Sequence, residues 1–108
     1  MINVLLSLDL TDAGDERDGF NAFLADLEWK KLKHVDTVWA IEYPKYSAAS
    51  ETDVSYVKGN ISRILTAAAE KFEFARITYV AQIGNVELVG RYIKKKDGVY
   101  KLFEYSPF

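Results

Sequence analysis

The sequence predicts an α+β domain in which two helices cover one face of an antiparallel sheet. Three observations predict this class. Apolar residues alternate over the first ten positions, recur at three- and four-residue spacing in two later segments, and alternate again after position 74. Because the chain has 108 residues, of which 49% are apolar, one domain spanning 1–108 accounts for all of it.

The first predicted strand runs from Ile2 to Leu10 and is apolar at every second position, the period of a strand with one buried face. Asp9 lies at the carboxyl end of this strand, before a polar acidic loop. The first helix is predicted from about Asp15 to Glu28. One face of that helix collects the apolar residues Phe20, Phe23, Leu24 and Leu27.

Two strands joined by a tight hairpin are predicted next, over 29–35 and 37–43, with the turn near Val35 and Asp36. The second helix follows a capping-box-like start, in which Ser50 precedes Asp53 by three residues. Its apolar face keeps helical spacing for five turns despite Gly59, which weakens a helix. That face consists of Val54, Val57, Ile61, Ile64, Leu65, Ala68 and Phe72.

Alternation returns over 74–83, which predicts a fourth strand. The runs 86–96 and 99–105 then flank Asp97 and Gly98, a dipeptide suited to the positive φ angles of a two-residue hairpin turn. The order strand, helix, strand, strand, helix, strand is the ferredoxin-like split βαβ arrangement, here with a core over 2–83 and a carboxyl-terminal hairpin over 86–105. Two helices cover one sheet face, so the other is left to the hairpin or to a second subunit, and we expect a homodimer.

Composition excludes several classes of function. The chain has no cysteine, which excludes disulfides, a thiolate nucleophile and cysteine-bound metals. It begins with strand-like sequence and has no apolar run long enough to span a bilayer, so we expect a cytoplasmic protein without a membrane partner. Neither a phosphate-binding glycine loop nor a haem, flavin or pyridoxal motif is present.

Charge is nearly balanced, with 14 basic and 16 acidic residues, unlike a strongly basic nucleic-acid binder. The basic residues nevertheless gather in two clusters. Candidate contacts to RNA or DNA in these clusters are Lys31, Lys33, Arg91, Lys94, Lys95 and Lys96. Arg91, Lys94, Lys95 and Lys96 belong to the second cluster. Lysines beside a hairpin turn also protect an exposed sheet edge, and we favour that interpretation for Lys94, Lys95 and Lys96. Aromatic residues offer base-stacking surfaces or core, namely Trp29, Trp39, Tyr43, Tyr79, Tyr92, Tyr100 and Tyr105.

The segment from Val4 to Leu10, the polar stretch with Arg17 and the run from Thr37 to Ile41 together resemble small CRISPR-associated adaptation proteins of the Cas-two and VapD superfamily, closest to its SinR-like members. The resemblance covers about 2–83 and adds Arg17 and Thr37 to the candidate nucleic-acid contacts. It implies a ferredoxin-like dimer in which two Asp9 carboxylates share one Mg²⁺ for phosphodiester hydrolysis. Thr37 and Trp39 match the Ser-x-Phe pattern of the third strand, but Ile41 stands where the family has glycine.

Structural explanations stand beside these functional ones. Asp9 is a metal ligand or a strand-end residue that caps the following turn. The acidic residues Asp12, Asp15, Glu16 and Asp18 are further ligands or the ordinary complement of a helix dipole. His34, the only histidine, has no partner that would predict catalysis.

Two function classes are therefore expected from the sequence. The first is a homodimeric binding or scaffold protein in a defence or toxin–antitoxin setting, which holds nucleic acid or a protein partner. The second is a Mg²⁺-dependent endonuclease that uses Asp9 from two subunits.

Overall fold

The computed structural model describes residues 1–35 and 37–108. Asp36, at the predicted hairpin turn, lies outside the described residues. Within them the chain forms six strands, two α-helices and one 3₁₀ turn over Gly14–Glu16. The elements are β1 (Ile2–Thr11), α1 (Arg17–Asp26), β2 (Lys30–Lys31), β3 (Val38–Tyr43), α2 (Glu51–Phe72), β4 (Arg76–Ile83), β5 (Val89–Lys96) and β6 (Val99–Tyr105).

All strands join one antiparallel sheet in the order β2-β3-β1-β4-β5-β6. The predicted α+β class, with two helices and an antiparallel sheet, is confirmed. β1 lies in the interior and pairs with β3 on one side and with β4 on the other. No helix among the described residues is long and apolar enough to cross a membrane.

The two faces of the sheet differ in what covers them. Alternate residues of β1 are buried, as its periodicity predicts, and they join the buried side chains of α1 and α2 in one core. We call this side the helix-covered face; on β1 it carries Ile2, Val4, Leu6, Leu8 and Leu10. The open face is the opposite side, where β1 exposes Asn3, Leu5, Ser7, Asp9 and Thr11.

The segment from the first helix to β3 departs from the sequence prediction. α1 ends at Asp26 instead of Glu28, because Glu28 adopts a positive φ of 67°. β2 covers two residues instead of the predicted 29–35. His34 and Thr37 have φ angles of 65° and 61°, which no strand accommodates, so the pairing with β3 stops early. The predicted antiparallel pairing itself is present.

α2 follows the prediction closely. The Ser50 hydroxyl accepts a hydrogen bond from the Asp53 amide at 3.2 Å and caps the first turn. All seven predicted apolar positions are buried or half-buried. The helix ends at Phe72, where Glu73 takes the left-handed conformation common after helices.

The carboxyl-terminal hairpin extends the sheet beside β4 instead of covering its second face. Its turn is the predicted one, with φ angles of 53° at Asp97 and 82° at Gly98. The Tyr100 hydroxyl donates a 2.7 Å hydrogen bond to the Phe74 carbonyl, which ties β6 to the end of α2. The hairpin is therefore excluded as the cover of the open face.

Candidate nucleic-acid interface

The strand registers assemble aromatic and basic side chains from three strands on the open face. In β4, β5 and β6, Thr78 pairs with Tyr92, and Tyr92 pairs with Phe103. Two residues along the strands, and therefore on the same face, Arg76 pairs with Lys94, and Lys94 pairs with Lys101. Side chains directly opposite on paired strands lie about 5 Å apart, so these residues are contiguous. We call Tyr92, Phe103 and Tyr105 the aromatic platform, and Arg76, Lys94 and Lys101 the basic row.

The aromatic platform is a group of three neighbouring, half-buried rings. The Tyr92 and Phe103 rings stack at a centroid distance of 5.0 Å and an angle of 15°. Tyr105 lies 6.3 Å from Tyr92 at a tilt of 47°. The Arg76 guanidinium lies 4.9 Å from the Tyr92 ring centroid, a distance at which cation–π attraction operates. All three rings are half-buried, so part of their surface meets solvent.

Gly90 leaves room for Tyr105, the platform residue with which it pairs. A Cβ at this position would lie 2.8 Å from the Tyr105 carbonyl oxygen and 3.2 Å from an atom of the Tyr105 ring. Real Cβ atoms do not approach backbone oxygen so closely, hence only glycine lets β6 and its ring settle here. The glycine thus serves close approach of neighbouring strands.

The basic row has no ion-pair partner among the described residues. Among residues 1–35 and 37–108, the ion pair observed joins Arg91 to Glu104 at 3.3 Å, on the helix-covered side of the hairpin. None of the basic-row residues has a described carboxylate within salt-bridge distance. The positive charge beside the aromatic platform is therefore available to an anionic ligand, although the whole chain has a net charge of −2.

The register divides the second predicted basic cluster between the two faces. Lys94 and Lys96 alternate with Lys95 along β5, and the first two share the open face with Tyr92. Lys95 lies on the other side, with its Nζ 5.9 Å from the Tyr100 ring centroid. Arg91 also faces that side; its side chain is only 14% exposed and is paired with Glu104.

Arg91 also neighbours a buried tyrosine on β4. Tyr79 pairs with Arg91 across the strands, and neither the Tyr79 hydroxyl nor the Arg91 Nε has a hydrogen-bond partner within the described part of the chain. Burial raises the pKa of Tyr79, and the adjacent guanidinium opposes that rise. This pair is part of the interior beneath the hairpin, on the side of the sheet opposite the aromatic platform.

Three other predicted contacts meet at a separate place. Arg17, Lys31 and Thr37 line one cavity of about 290 Å³. We call it the α1–β3 cavity; its remaining lining residues are Leu8, Phe20, Asn21 and Trp39. Lys33 and His34 are exposed in the neighbouring turn and do not line it.

Asp9 is exposed on the open face, where it pairs with Thr78 beside the aromatic platform. Over 1–35 and 37–108, no group of three or more Asp, Glu, His or Cys side chains is placed to hold a metal ion. A site shared by two Asp9 residues needs a second subunit and stays a prediction.

Three members of the interface, Arg76, Lys101 and Phe103, are not among the contacts predicted from the sequence. Lys101 follows the predicted hairpin turn, close to the lysine run. Arg76 and Phe103 belong to no basic run and no motif, and they gain neighbours only through the registers of β4 with β5 and of β5 with β6. Both lie at alternating positions of their strands, which is the one signal that indicated their side of the sheet. Comparison of the chain with protein-family models, curated proteins and solved structures gives no match.

Proposed function

We propose that this protein binds single-stranded nucleic acid on the open face of its sheet. The observation that carries the proposal is the Arg76–Tyr92–Phe103 stack, with Lys94 and Lys101 in the adjacent row. Exposed aromatic rings on a sheet stack against unpaired bases, and lysines beside them contact the phosphates that connect those bases. Burying the charged side chains of this face in a core would be unfavourable, whereas the same side chains suit a surface that binds an anionic ligand.

The architecture supports the same proposal. The part β2-β3-β1-β4, with helices after β1 and β3, has the strand order of a ferredoxin-like split βαβ domain, and we propose that fold with β5 and β6 appended. Single-strand binders with this kind of sheet place stacking aromatics on its uncovered face. Membership of the Cas-two and VapD superfamily and a role in a defence or toxin–antitoxin setting remain proposals based on the resemblance.

The homodimer remains part of the proposal and involves the other half of the open face. Leu5 is 50% exposed at the middle of β1, and its partner Ala40 is half-buried on β3. An apolar side chain exposed at the centre of a sheet favours cover by a second copy. Sedimentation of the protein and of Leu5→Glu tests this, since the variant should be monomeric if the two copies meet there. A protein partner at this surface would leave the chain monomeric in isolation.

Fluorescence anisotropy with labelled single-stranded RNA and DNA tests the binding proposal. Phe103→Leu and Tyr92→Leu remove a stacking ring but keep an apolar side chain, and each should weaken binding about 5- to 150-fold, since stacking contributes about 1–3 kcal/mol per base. Affinity should also fall as salt is added, because phosphate contacts release counterions.

Tyr56→Leu is the matched control. Tyr56 stacks on Tyr46 with a centroid distance of 4.8 Å and an angle of 9°, a similar ring pair that lies at α2 and away from the aromatic platform. The control should bind like the unmodified protein. Equal losses in Tyr56→Leu and Phe103→Leu, or no salt-dependent binding of any single strand, would contradict the proposal.

Mg²⁺-dependent endonuclease activity is the competing hypothesis, and cleavage of the labelled strand is measured on the same samples. It requires cleavage of the labelled strand when Mg²⁺ or Mn²⁺ is added and its loss in Asp9→Asn. The binding proposal requires anisotropy changes without metal and an intact strand after recovery.

A further inference from the structure

The α1–β3 cavity brings together side chains from four elements on the helix-covered side of the sheet. Lys31 pairs with Trp39 across β2 and β3, so their side chains project to the same side of the sheet. Arg17 and Asn21 are four residues apart on α1 and therefore share one helical face. Leu8 closes the cavity from β1, and its amide donates a 3.0 Å hydrogen bond to the Thr37 carbonyl.

The backbone at Thr37 is held in an uncommon conformation. Its φ angle is 61°, and a β-branched residue rarely takes a positive φ because its Cβ crowds the backbone. The hydrogen bond from Leu8 and the start of β3 one residue later fix it there. Strained backbone of this kind is concentrated at functional sites, and here it lies in the wall of the cavity.

The polar lining consists of groups that donate hydrogen bonds to anions. Arg17 and Lys31 carry positive charge and are exposed at the rim, while Thr37 and Asn21 are half-buried and add a hydroxyl and an amide. No carboxylate among the described residues lines the cavity or pairs with either cation. Buried Phe20 and Trp39 form an apolar floor.

This combination selects a small, multiply charged oxyanion. Arginine and lysine together with neutral donors match the several oxygens of a phosphate, which accept hydrogen bonds from all of them. A volume of about 290 Å³ admits a phosphate and part of the group attached to it. A metal cation or a cationic ligand would face two positive charges without a described carboxylate.

We propose that the α1–β3 cavity is a second binding site that holds the phosphate group of a phosphomonoester. The site lies on the face of the sheet opposite the aromatic platform, so it stands independently of single-strand binding there. Its phosphate comes from a free nucleotide or from a phosphorylated strand end, and these sources share the same chemistry.

Nuclear magnetic resonance of the ¹⁵N-labelled protein tests the site through its two tryptophans. Trp39 lines the cavity and Trp29 does not, so the indole N–H signal of Trp39 should shift and saturate with inorganic phosphate, while that of Trp29 stays in place. Trp29→Phe assigns the two signals. Adenosine monophosphate, and a short oligonucleotide with a 5′-phosphate or a 5′-hydroxyl, distinguish the sources.

Arg17→Gln and Lys31→Gln should each weaken phosphate binding about tenfold or more, the usual effect of losing a charged hydrogen-bond donor. Lys33→Gln is the matched control, because it removes the same charge from the adjacent turn, outside the cavity. It should change the affinity less than about twofold, the scale of an exposed charge in salt.

Two results would overturn the inference. One is the absence of any saturable Trp39 shift with phosphate or adenosine monophosphate in protein whose spectrum shows it to be folded. The other is an equal loss in Lys33→Gln and Lys31→Gln, which indicates attraction by net charge alone. Binding of the 5′-phosphate strand, but not of the 5′-hydroxyl strand or the nucleotide, assigns the phosphate to a strand end; binding of the nucleotide assigns it to a free ligand.

Discussion

The two faces of the β4–β5 sheet are built from the same strands and differ in almost every property. On the helix-covered face Ile77 and Ile93 are opposite each other and fully buried. One residue along, Thr78 and Tyr92 form the corresponding pair on the open face and remain half-exposed. Because successive residues of a strand point to opposite sides, one strand contributes to the core and to a binding surface at once. Folding stability and ligand binding should therefore respond to different substitutions.

The largest effect is expected on the helix-covered face, at Phe20. This ring is buried and packs edge-on against Phe74 at 5.4 Å and against Phe72 at 6.4 Å. Phe20→Ala should lower the free energy of unfolding by about 3–5 kcal/mol, the usual cost of emptying a buried aromatic site. Chemical denaturation followed by circular dichroism measures it.

Phe103→Ala is the matched change on the open face. It should cost less than half as much, because the Phe103 ring is already partly exposed and leaves no closed cavity. If the two substitutions cost the same free energy of unfolding, the open face is as much a part of the core as the covered one, and the contrast between them fails.

A smaller loss in the free energy of unfolding is expected at Gly90, which lies in β5 and pairs with Tyr105 of the edge strand β6. Gly90→Ala places a Cβ 2.8 Å from the Tyr105 carbonyl oxygen, so β6 must move away. The expected cost is about 1–3 kcal/mol, the range for overpacked sites. The displaced Tyr105 should also weaken single-strand binding.

Gly14→Ala provides the control for this substitution. A Cβ at Gly14 meets no atom within 4 Å, although its φ of 54° adds some strain of its own. It should destabilise the protein without any change in affinity for the single strand. A loss of affinity in the control equal to that in Gly90→Ala would remove the assigned role of the close contact.

A loss of about 1 kcal/mol is expected at Tyr100, on the helix-covered side of the hairpin. Tyr100→Phe removes the hydroxyl that donates to the Phe74 carbonyl at 2.7 Å and leaves the ring in place. The substitution should accelerate hydrogen exchange of the β6 amides more than that of the β1 amides, since the hairpin loses its hydrogen bond to the end of α2.

Tyr92→Phe removes the corresponding hydroxyl from the open face. Solvent can hydrogen-bond to the Tyr92 hydroxyl there, so its loss should cost little. Its effect on the free energy of unfolding should stay within about 0.5 kcal/mol, as for other surface substitutions. Since the ring remains, stacking against bases should persist as well. A larger cost than that of Tyr100→Phe would contradict the assignment of the two faces.

The alternation in β1 and the spacing in α2 predict burial residue by residue, because each pattern depends only on local geometry and on one buried side. The short length of β2 was not predicted, because it depends on contacts between residues that are distant in the sequence. Nothing local marks His34 and Thr37 for positive φ angles, which arise from contacts such as that between Thr37 and Leu8. Tertiary contacts of this kind override the propensity of the segment.

The candidate site was predicted to the extent that its members are adjacent in sequence. The lysine run that includes Lys94 and Lys96 was visible, but its division between two faces depends on the pairing of β5. Arg76 and Phe103 join Tyr92 only across strand registers, which a single sequence does not encode locally. Long-range pairing was therefore the missing information, both for the platform and for the hairpin, whose position beside β4 the sequence left open.

A substitution at Asp9 distinguishes the two functional hypotheses most directly. This exposed carboxylate lies on the open face and pairs with Thr78, next to Tyr92. If the face binds phosphates, the negative charge of Asp9 opposes them, and Asp9→Asn should tighten single-strand binding by up to about fivefold at low salt, the scale of an exposed charge interaction. Anisotropy titrations of both proteins at two salt concentrations measure this.

Asp26→Asn removes a carboxylate from the end of α1, outside the open face, and serves as the control for net charge. It should tighten binding less than Asp9→Asn does, and the advantage of Asp9→Asn should shrink as salt screens the charge. The endonuclease hypothesis demands a different result: metal-dependent cleavage by the unmodified protein that Asp9→Asn abolishes. Because a phosphate-repelling carboxylate and a metal-binding one predict opposite consequences of the same substitution, one variant decides which role Asp9 has on this face.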